Sequence, residues 1–134
     1  MGAWSAEPFG NSEALDWLTD LIDEHDMFFI HNTLEIIAEL PPSEKPEAWD
    51  CICAIAAAEM VAAARGKPGK SLPKEAREWL EAYAFEADEE AKELAGRAVA
   101  RVEAESELRD AWEESGESGD WYRSLADLKA RLAA

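Results

Sequence analysis

The stretch from Glu47 to Arg65 constrains the fold of this chain more than any other, because it is apolar nearly all round a helix. It reads EAWDCICAIAAAEMVAAAR. At about 100° per residue, Trp49, Cys53 and Met60 share one side of the helix, while alanines cover much of the back. A helix that is apolar on all sides is usually enclosed by other helices. Alanine also has the highest helix propensity, and its short side chain lets neighbouring helices approach closely. We therefore predict a buried central helix.

The ends of this helix are marked by residues that start or stop helices. Ser43 can cap the first N–H groups, and Pro46 suits the first turn, where its missing N–H has no partner. At the other end, Gly66 can adopt the left-handed conformation and Pro68 prevents continuation. These signals predict a helix that ends at Gly66.

Glu59 is the exception on this helix. It lies between Ile52 and Ile55 on the wheel, on an otherwise apolar flank. Burial of an unpaired carboxylate is costly, so Glu59 must be paired, hydrogen-bonded, protonated or at a cavity edge. Three interpretations stay open: a structural pair with an arginine or a helix N-terminus, a carboxylate of a functional site, or simple exposure.

The remaining pattern favours an all-α fold. Of the 134 residues 48% are hydrophobic, so the chain is no disordered acidic tail. β-Branched residues are few and no stretch alternates with period two. We predict a single compact bundle of about six to seven helices around the alanine-rich helix, forming one domain over 1–134 with an N-terminal arm over 1–10.

Helix signals divide the rest of the chain. Before the central helix, we predict one helix from Asn11 or Ser12 to Glu24 and a second over 27–40, capped by Asp26. After it, we predict a helix that begins at Pro73 and another over 86–105. A short helix capped by Ser106 and a last helix capped by Asp120 follow. The acidic segment 113–119 is predicted to be a loop. The expected inward residues are Ala14, Leu15, Trp17, Leu18, Leu21 and Ile22; Phe28, Ile30, Leu34, Ile37 and Leu40; Leu72, Ala76, Trp79, Leu80 and Tyr83; Ala87, Ala91, Leu94, Ala95, Ala98, Val99 and Val102; Leu108 and Trp112; and Trp121, Leu125, Leu128 and Leu132.

Negative charge is concentrated in the first third of the chain. The net charge is −17, and ten acids precede Lys45, which is the first lysine or arginine. Nucleic acid and anionic membrane surfaces are poor partners for such a segment, whereas basic proteins or cations suit it. We predict a docking surface for a basic protein formed by Asp16, Asp20, Asp23, Glu24 and Asp26. Solubility alone is the alternative explanation of the charge.

The opening residues, MGAWSAEPFGNSEALDW, carry a distinctive motif. The motif resembles a bacterial family catalogued as domain of unknown function 4259, whose members open Met-Gly-Ala-Trp-Gly and continue Phe-x-Asn-Asp, then Ala-x-Asp-Trp. The matching positions are Gly2, Ala3, Trp4, Phe9, Asn11, Ala14, Asp16 and Trp17. The segment AAAEMVAA around Glu59, then Gly66-x-Pro68 and Leu72-Pro73, are similar to the middle of the family.

This resemblance extends over the whole chain and implies an α-helical fold in a bacterial cytoplasmic setting. It implies no activity, because the family name carries none. Ser5 replaces a glycine of the family's opening, and Ser12 replaces the acid of its Asn-Asp pair. The second replacement counts against a cation bound by this pair.

The sequence contains few groups for catalysis or metal binding. No nucleophile, zinc or phosphate-loop motif appears, so we lean towards a protein that is not an enzyme and expect no cofactor. Cys51 and Cys53 point about 200° apart on a helix and are predicted to be buried small hydrophobes. His25 could hold a divalent cation with its acidic neighbours, but the ligand spacing is not diagnostic, and we assign no metal site.

Two alternatives to the docking module stay open. The first is a small-ligand or cation site around Glu59 and Asp16 with His25 and His31, in which Trp4 and Asn11 are further candidates and Trp4 plugs a groove beside the central helix. The second is a homodimer with exposed Trp112 or Trp121 in a symmetric interface. The chain is thus a monomer or a homodimer. We expect no signal peptide and no membrane span, and the two cysteines predict a reducing cytoplasm.

Overall fold

The computed structural model describes residues 5–24, 27–83 and 87–134, with the side chains of these ranges except those of residues 24 and 27. Within these ranges the chain forms seven α-helices and no strand, which confirms the all-α prediction. The helices are α1 (Ser12–Glu24), α2 (Met27–Ala38), α3 (Ala48–Ala64), α4 (Lys74–Tyr83), α5 (Glu89–Ala104), α6 (Glu107–Ser115) and α7 (Ser118–Ala133). None of the helices in the described part is long and apolar enough to cross a membrane.

Helix α3 lies at the centre of the bundle. It contacts each of the other six helices, and every residue from Cys51 to Ala62 is buried. The enclosure predicted for the alanine-rich stretch is therefore confirmed. Trp49 departs from the wheel, because it lies in the first turn of α3 and is 51% exposed.

The two ends of α3 differ in how well their signals predict them. Ser43 is not the cap: the N-cap is Glu47, and the Ala48 N–H donates to Glu107 Oε1 at 3.1 Å. Pro46 lies before the helix rather than in its first turn, and its carbonyl accepts from the Glu107 N–H at 3.0 Å. The C-terminal prediction is confirmed. Gly66 is left-handed, with φ of 87°, and its N–H donates to Ala63 O at 3.0 Å.

The inward faces of the later helices follow their apolar periodicity. α5 buries Leu94, Ala95, Ala98, Val99 and Val102, α6 buries Leu108 and Trp112, and α7 buries Trp121, Leu125, Leu128 and Leu132. Ser106 caps α6 as predicted, because its hydroxyl accepts from the Arg109 N–H at 3.0 Å. The buried residues of these helices are thus mostly those that the sequence indicates.

Several boundaries differ from the sequence-based ones. α5 begins at Glu89, after its cap Asp88, whereas the predicted helix begins at residue 86. α2 ends at Ala38, two residues before the predicted end, and the pair Pro41-Pro42 follows. The predicted loop 113–119 is mostly helical, because α6 continues to Ser115 and α7 begins at Ser118. Gly116, with φ of 77°, makes this short turn. Asp120 therefore lies in the first turn of α7 and is not its cap.

Candidate functional site

Three aspartates of α1 form a solvent-exposed stripe, which we call the aspartate stripe. Asp16, Asp20 and Asp23 are all exposed and recur once per turn. No ion pair between described residues includes any of them. Their charges are therefore not neutralised by a neighbouring base of the described chain.

Contacts on the opposite side hold α1 in place. The Asn11 side chain accepts from the Ala14 N–H at 2.8 Å, so the candidate ligand residue Asn11 caps α1. The indole N–H of Trp17 donates to Thr33 Oγ1 at 2.9 Å in the buried contact between α1 and α2. Trp17 also stacks on Phe29, with ring centroids 5.6 Å apart. These contacts fix which side of α1 faces solvent.

Several of the predicted site residues lie outside the described residues. Trp4, His25 and Asp26 are among them, and so the expected plug by Trp4 and the cap by Asp26 are not described. Glu24 is the last residue of α1, and its side chain is likewise not described. Of the five predicted docking residues, the structure therefore positions the side chains of Asp16, Asp20 and Asp23.

Glu59 is buried and paired with an arginine of the last helix. Its relative exposure is 2%, which contradicts simple exposure. Oε1 accepts from Arg131 Nη1 at 2.9 Å and Oε2 accepts from Arg131 Nη2 at 2.7 Å. Arg131 Nε donates to Asp127 Oδ2 at 2.8 Å, and Nη1 also donates to Lys67 O at 3.2 Å. Burial is the largest single effect on the pKa of Arg131 and lowers it. Glu59 and Asp127 together raise this pKa by more than burial lowers it, so the net shift is upward.

An open groove of about 550 Å³ borders this ion pair. It lies between the N-terminal segment, the loop after α3 and one side of α7. Its lining residues are Ser5, Ala6, Glu7, Pro8, Glu59, Gly69, Lys70, Ser71, Asp120, Arg123, Ser124, Asp127 and Arg131. Both oxygens of Glu59 are already occupied by Arg131, so this carboxylate is poorly placed to bind a ligand directly.

The other candidates for a ligand site are not gathered around Glu59. Asp16 is exposed on α1 and does not line the groove. Asn11 lines a separate cavity of about 20 Å³. His31 Nε2 lies 2.6 Å from Glu35 Oε1, one turn along α2. The polar residues that the sequence singles out are thus dispersed over the bundle.

The cysteines are free and buried, as predicted for small core residues. Burial raises the pKa of the Cys51 thiol and that of the Cys53 thiol to about 12. Both are therefore protonated near neutral pH and are weak nucleophiles. Among the described residues, no group of three or more histidine, cysteine, aspartate or glutamate side chains is arranged to hold a metal ion.

Four of the five large apolar side chains that are exposed in the described chain belong to its first 49 residues. Leu15, Phe28, Ile36 and Trp49 are 45%, 67%, 52% and 51% exposed, and Tyr83 is the fifth such residue of the described chain. The apolar pattern predicts inward positions for Leu15, Phe28 and Tyr83, and these three predictions are wrong. The pattern gives no prediction for Ile36. The signal for Ile36 was the excess of large apolar residues in α2, which exceeds what one buried face holds.

Two tryptophans proposed for a symmetric interface are part of the core. Trp112 is 6% exposed and Trp121 is 3% exposed. The prediction that either is exposed is wrong, because Trp112 lies on the apolar side of α6 and Trp121 on that of α7. A homodimer of this chain would need a different surface.

The comparisons with known proteins give a family but no activity. The sequence model of a family described as Domain of unknown function (DUF4259) matches residues 2–124. No curated protein and no solved structure matches the chain.

Proposed function

The chain belongs to the DUF4259 family. We propose that it is a non-catalytic protein-binding module that docks a basic protein through the acidic first third of the chain. The docking surface in this proposal is the aspartate stripe extended by Glu24 and Asp26. By analogy of charge and size, such a module resembles proteins that neutralise a cationic toxin domain. We place it in a bacterial cytoplasm, where the free thiols of Cys51 and Cys53 would stay reduced.

One observation carries the proposal: the exposed carboxylates of α1 lack ion-pair partners within the described chain. The bases that pair with acids do so elsewhere, for example Arg65 with Glu89 and Lys129 with Glu103. Unneutralised charge of one sign steers an oppositely charged partner and accelerates association. Three exposed glutamates of α4 also lack such partners in the described chain, but they spread over about 120° of their helix, whereas the three aspartates lie within about 60°.

The ligand-site alternative has one supporting observation, which is the groove beside Glu59. The ion pair with Arg131 weakens it, because a ligand would have to replace two charged hydrogen bonds. We therefore favour the docking module. Repulsion between two negatively charged surfaces counts against a homodimer through the aspartate stripe. Light scattering tests the homodimer alternative separately.

The docking proposal is tested by removing three charges from the stripe. The variant is Asp16→Asn, Asp20→Asn and Asp23→Asn. Its matched control changes Glu75, Glu78 and Glu81 to Gln; these glutamates are exposed on α4, so both variants lose the same charge. Each protein is immobilised and exposed to host lysate at low and at high salt.

We expect the wild type and the α4 control to retain a basic protein at low salt and to release it at high salt. The aspartate variant should retain about tenfold less, because charges at the edge of an interface mainly affect the association rate. Equal retention by both variants, or retention that is independent of salt, would contradict the proposal.

A further inference from the structure

Helix α2 contains more apolar surface than its neighbours cover. Its sequence is MFFIHNTLEIIA, in which seven of twelve residues are large and apolar. α3 and α5 pack on one side, where Ile30, Leu34 and Ile37 are almost fully buried. A helix that is apolar beyond one face is usually covered on the second face too.

The solvent-exposed side, which we call the outer face of α2, combines apolar and acidic residues. It consists of Phe28, Asn32, Glu35 and Ile36, which recur with helical spacing, and of Glu39 in the turn directly after the helix. Phe28 and Ile36 are the most exposed large apolar residues of the described chain and lie two turns, or about 12 Å, apart along the helix. Exposed apolar groups rimmed by charge are typical of protein interaction sites.

We infer that the outer face of α2 is the binding site for a basic amphipathic helix of the partner protein. This inference rests on the proposed function and names the contact that follows electrostatic attraction. Apolar side chains of the partner helix would cover Phe28 and Ile36, and its flanking lysines or arginines would meet Glu35 and Glu39. The aspartate stripe would raise the association rate, while the apolar contact would slow dissociation.

Charge decides against a second copy of this chain as the occupant. A twofold interface places the same patch on both sides, so Glu35 and Glu39 would be brought near the same two acids of the second copy. The described chain has no strand and therefore offers no sheet edge to an extended peptide, which favours a helix laid against a helix. Two bases already lie near these acids: Arg97 Nη2 is 3.5 Å from Glu39 Oε1 and His31 Nε2 is 2.6 Å from Glu35 Oε1. Both contacts are solvent-exposed and therefore of low stability, so a basic partner can replace them.

The test uses peptides selected from a displayed random library on the full-length protein. Selected peptides are resynthesised, labelled and titrated by fluorescence polarisation. The diagnostic variant carries Phe28→Ser and Ile36→Ser. The matched control is Trp49→Ser, because Trp49 is 51% exposed and Ile36 is 52% exposed, yet Trp49 lies on α3. Urea unfolding shows that each variant is folded.

We expect the selected peptides to place apolar residues at helical spacing between lysines or arginines. The Phe28 and Ile36 variant should bind them at least about tenfold more weakly, and Trp49→Ser should bind as the wild type does. Peptides without this pattern, or equal losses in both variants, would overturn the inference.

The same titration separates this inference from the proposed function. One outcome is binding that depends on salt and on the aspartate stripe but not on Phe28 and Ile36. In that case the outer face of α2 is not the binding site, and the proposed docking function still holds. If neither set of residues matters, both proposals fail. A dimer of the free protein that the Ile36→Ser change dissociates would assign this face to a second copy and overturn the basic helix as occupant.

Discussion

Glu59 and Arg131 lie 72 residues apart in sequence and meet through two parallel hydrogen bonds of 2.9 and 2.7 Å. The contact joins the C-terminal half of α3, the most enclosed helix, to the last turn of α7. Planar guanidinium and carboxylate groups match in this geometry, and each bond is strengthened by charge. The pair also explains how an acid can lie on an apolar helix.

Replacement of Glu59 by Gln should lower the free energy of unfolding by about 3 kcal/mol. The change leaves the half-enclosed Arg131 guanidinium without one of its two carboxylate partners, since Asp127 alone remains. Urea denaturation monitored by circular dichroism measures the loss. The double variant with Arg131→Met should recover part of it, because no buried charge is then left unpaired and Asp127, which loses its partner, is 66% exposed.

Glu103→Gln is the control for this experiment. Glu103 also pairs with a base of α7, Lys129, but both side chains are much more exposed. Its loss should stay below about 1 kcal/mol. A Glu59→Gln protein as stable as the wild type would show that the pair does not hold the fold, and it would return Glu59 to the ligand-site alternative.

Gly69 is needed because its backbone lies against this ion pair. A Cβ atom at Gly69 would lie 2.8 Å from Glu59 Oε1 and 3.3 Å from both terminal nitrogens of Arg131. Gly69→Ala should therefore destabilise the protein by about 1–3 kcal/mol, as overpacking of a buried site does. The measurement is again urea denaturation.

Gly96→Ala supplies the matched control. Gly96 lies within α5, and a Cβ atom there would meet nothing within 4 Å. Alanine should stabilise the helix by about 0.5–1 kcal/mol relative to glycine. The prediction for Gly69 is wrong if both alanine variants change stability in the same direction.

Much of the bundle follows from short-range patterns in the sequence. The apolar stretch 47–65 predicts the enclosed helix α3, because no side of it can face water at low cost. Gly66 predicts its end, since few other residues adopt the left-handed conformation. Ser106 and the spacing of Trp121, Leu125 and Leu128 predict a cap and an inward face in the same local way.

Features that depend on distant parts of the chain are not predictable from such patterns. An acid on an apolar flank indicates that Glu59 has a partner, but several arginines are available, and only the packing of α7 selects Arg131. The sequence does not predict the short turn at Gly116, because a segment of acidic and glycine residues is typical of a longer loop. Exposure of Phe28 and Ile36 depends on how many helices surround α2, which its own periodicity does not encode.

Thr33→Val tests the contact that orients the aspartate stripe. Valine has nearly the shape of threonine but leaves the buried Trp17 indole N–H without its acceptor, which now lies 2.9 Å away. The expected loss is about 1–3 kcal/mol. Thr19→Val is the control, since the exposed Thr19 hydroxyl only donates to Leu15 O within α1, and its effect should stay within about 0.5 kcal/mol. Equal effects in urea denaturation would contradict the assigned role of Thr33.

The two buried thiols should make the protein less stable in alkaline solution. Burial is the largest cause of the raised pKa of Cys51 and of Cys53, and the charges of Asp50, Asp20 and Glu13 further raise that of Cys53. The folded thiols keep their protons up to about pH 12, whereas unfolded thiols titrate near their ordinary pKa of 9.0. Their contribution to stability is therefore complete below pH 9.0 and is lost as the pH rises towards about 12.

The comparison is between the wild type and the double variant Cys51→Ala and Cys53→Ala, each unfolded with urea from about pH 8 to about pH 11. The variant should start less stable by about 1–2 kcal/mol, because alanine leaves small cavities. Its free energy of unfolding should then fall less steeply with pH, since the remaining alkaline loss comes from tyrosine and lysine groups that both proteins share. Parallel pH profiles for the two proteins would show that the thiols are not the groups that titrate on unfolding.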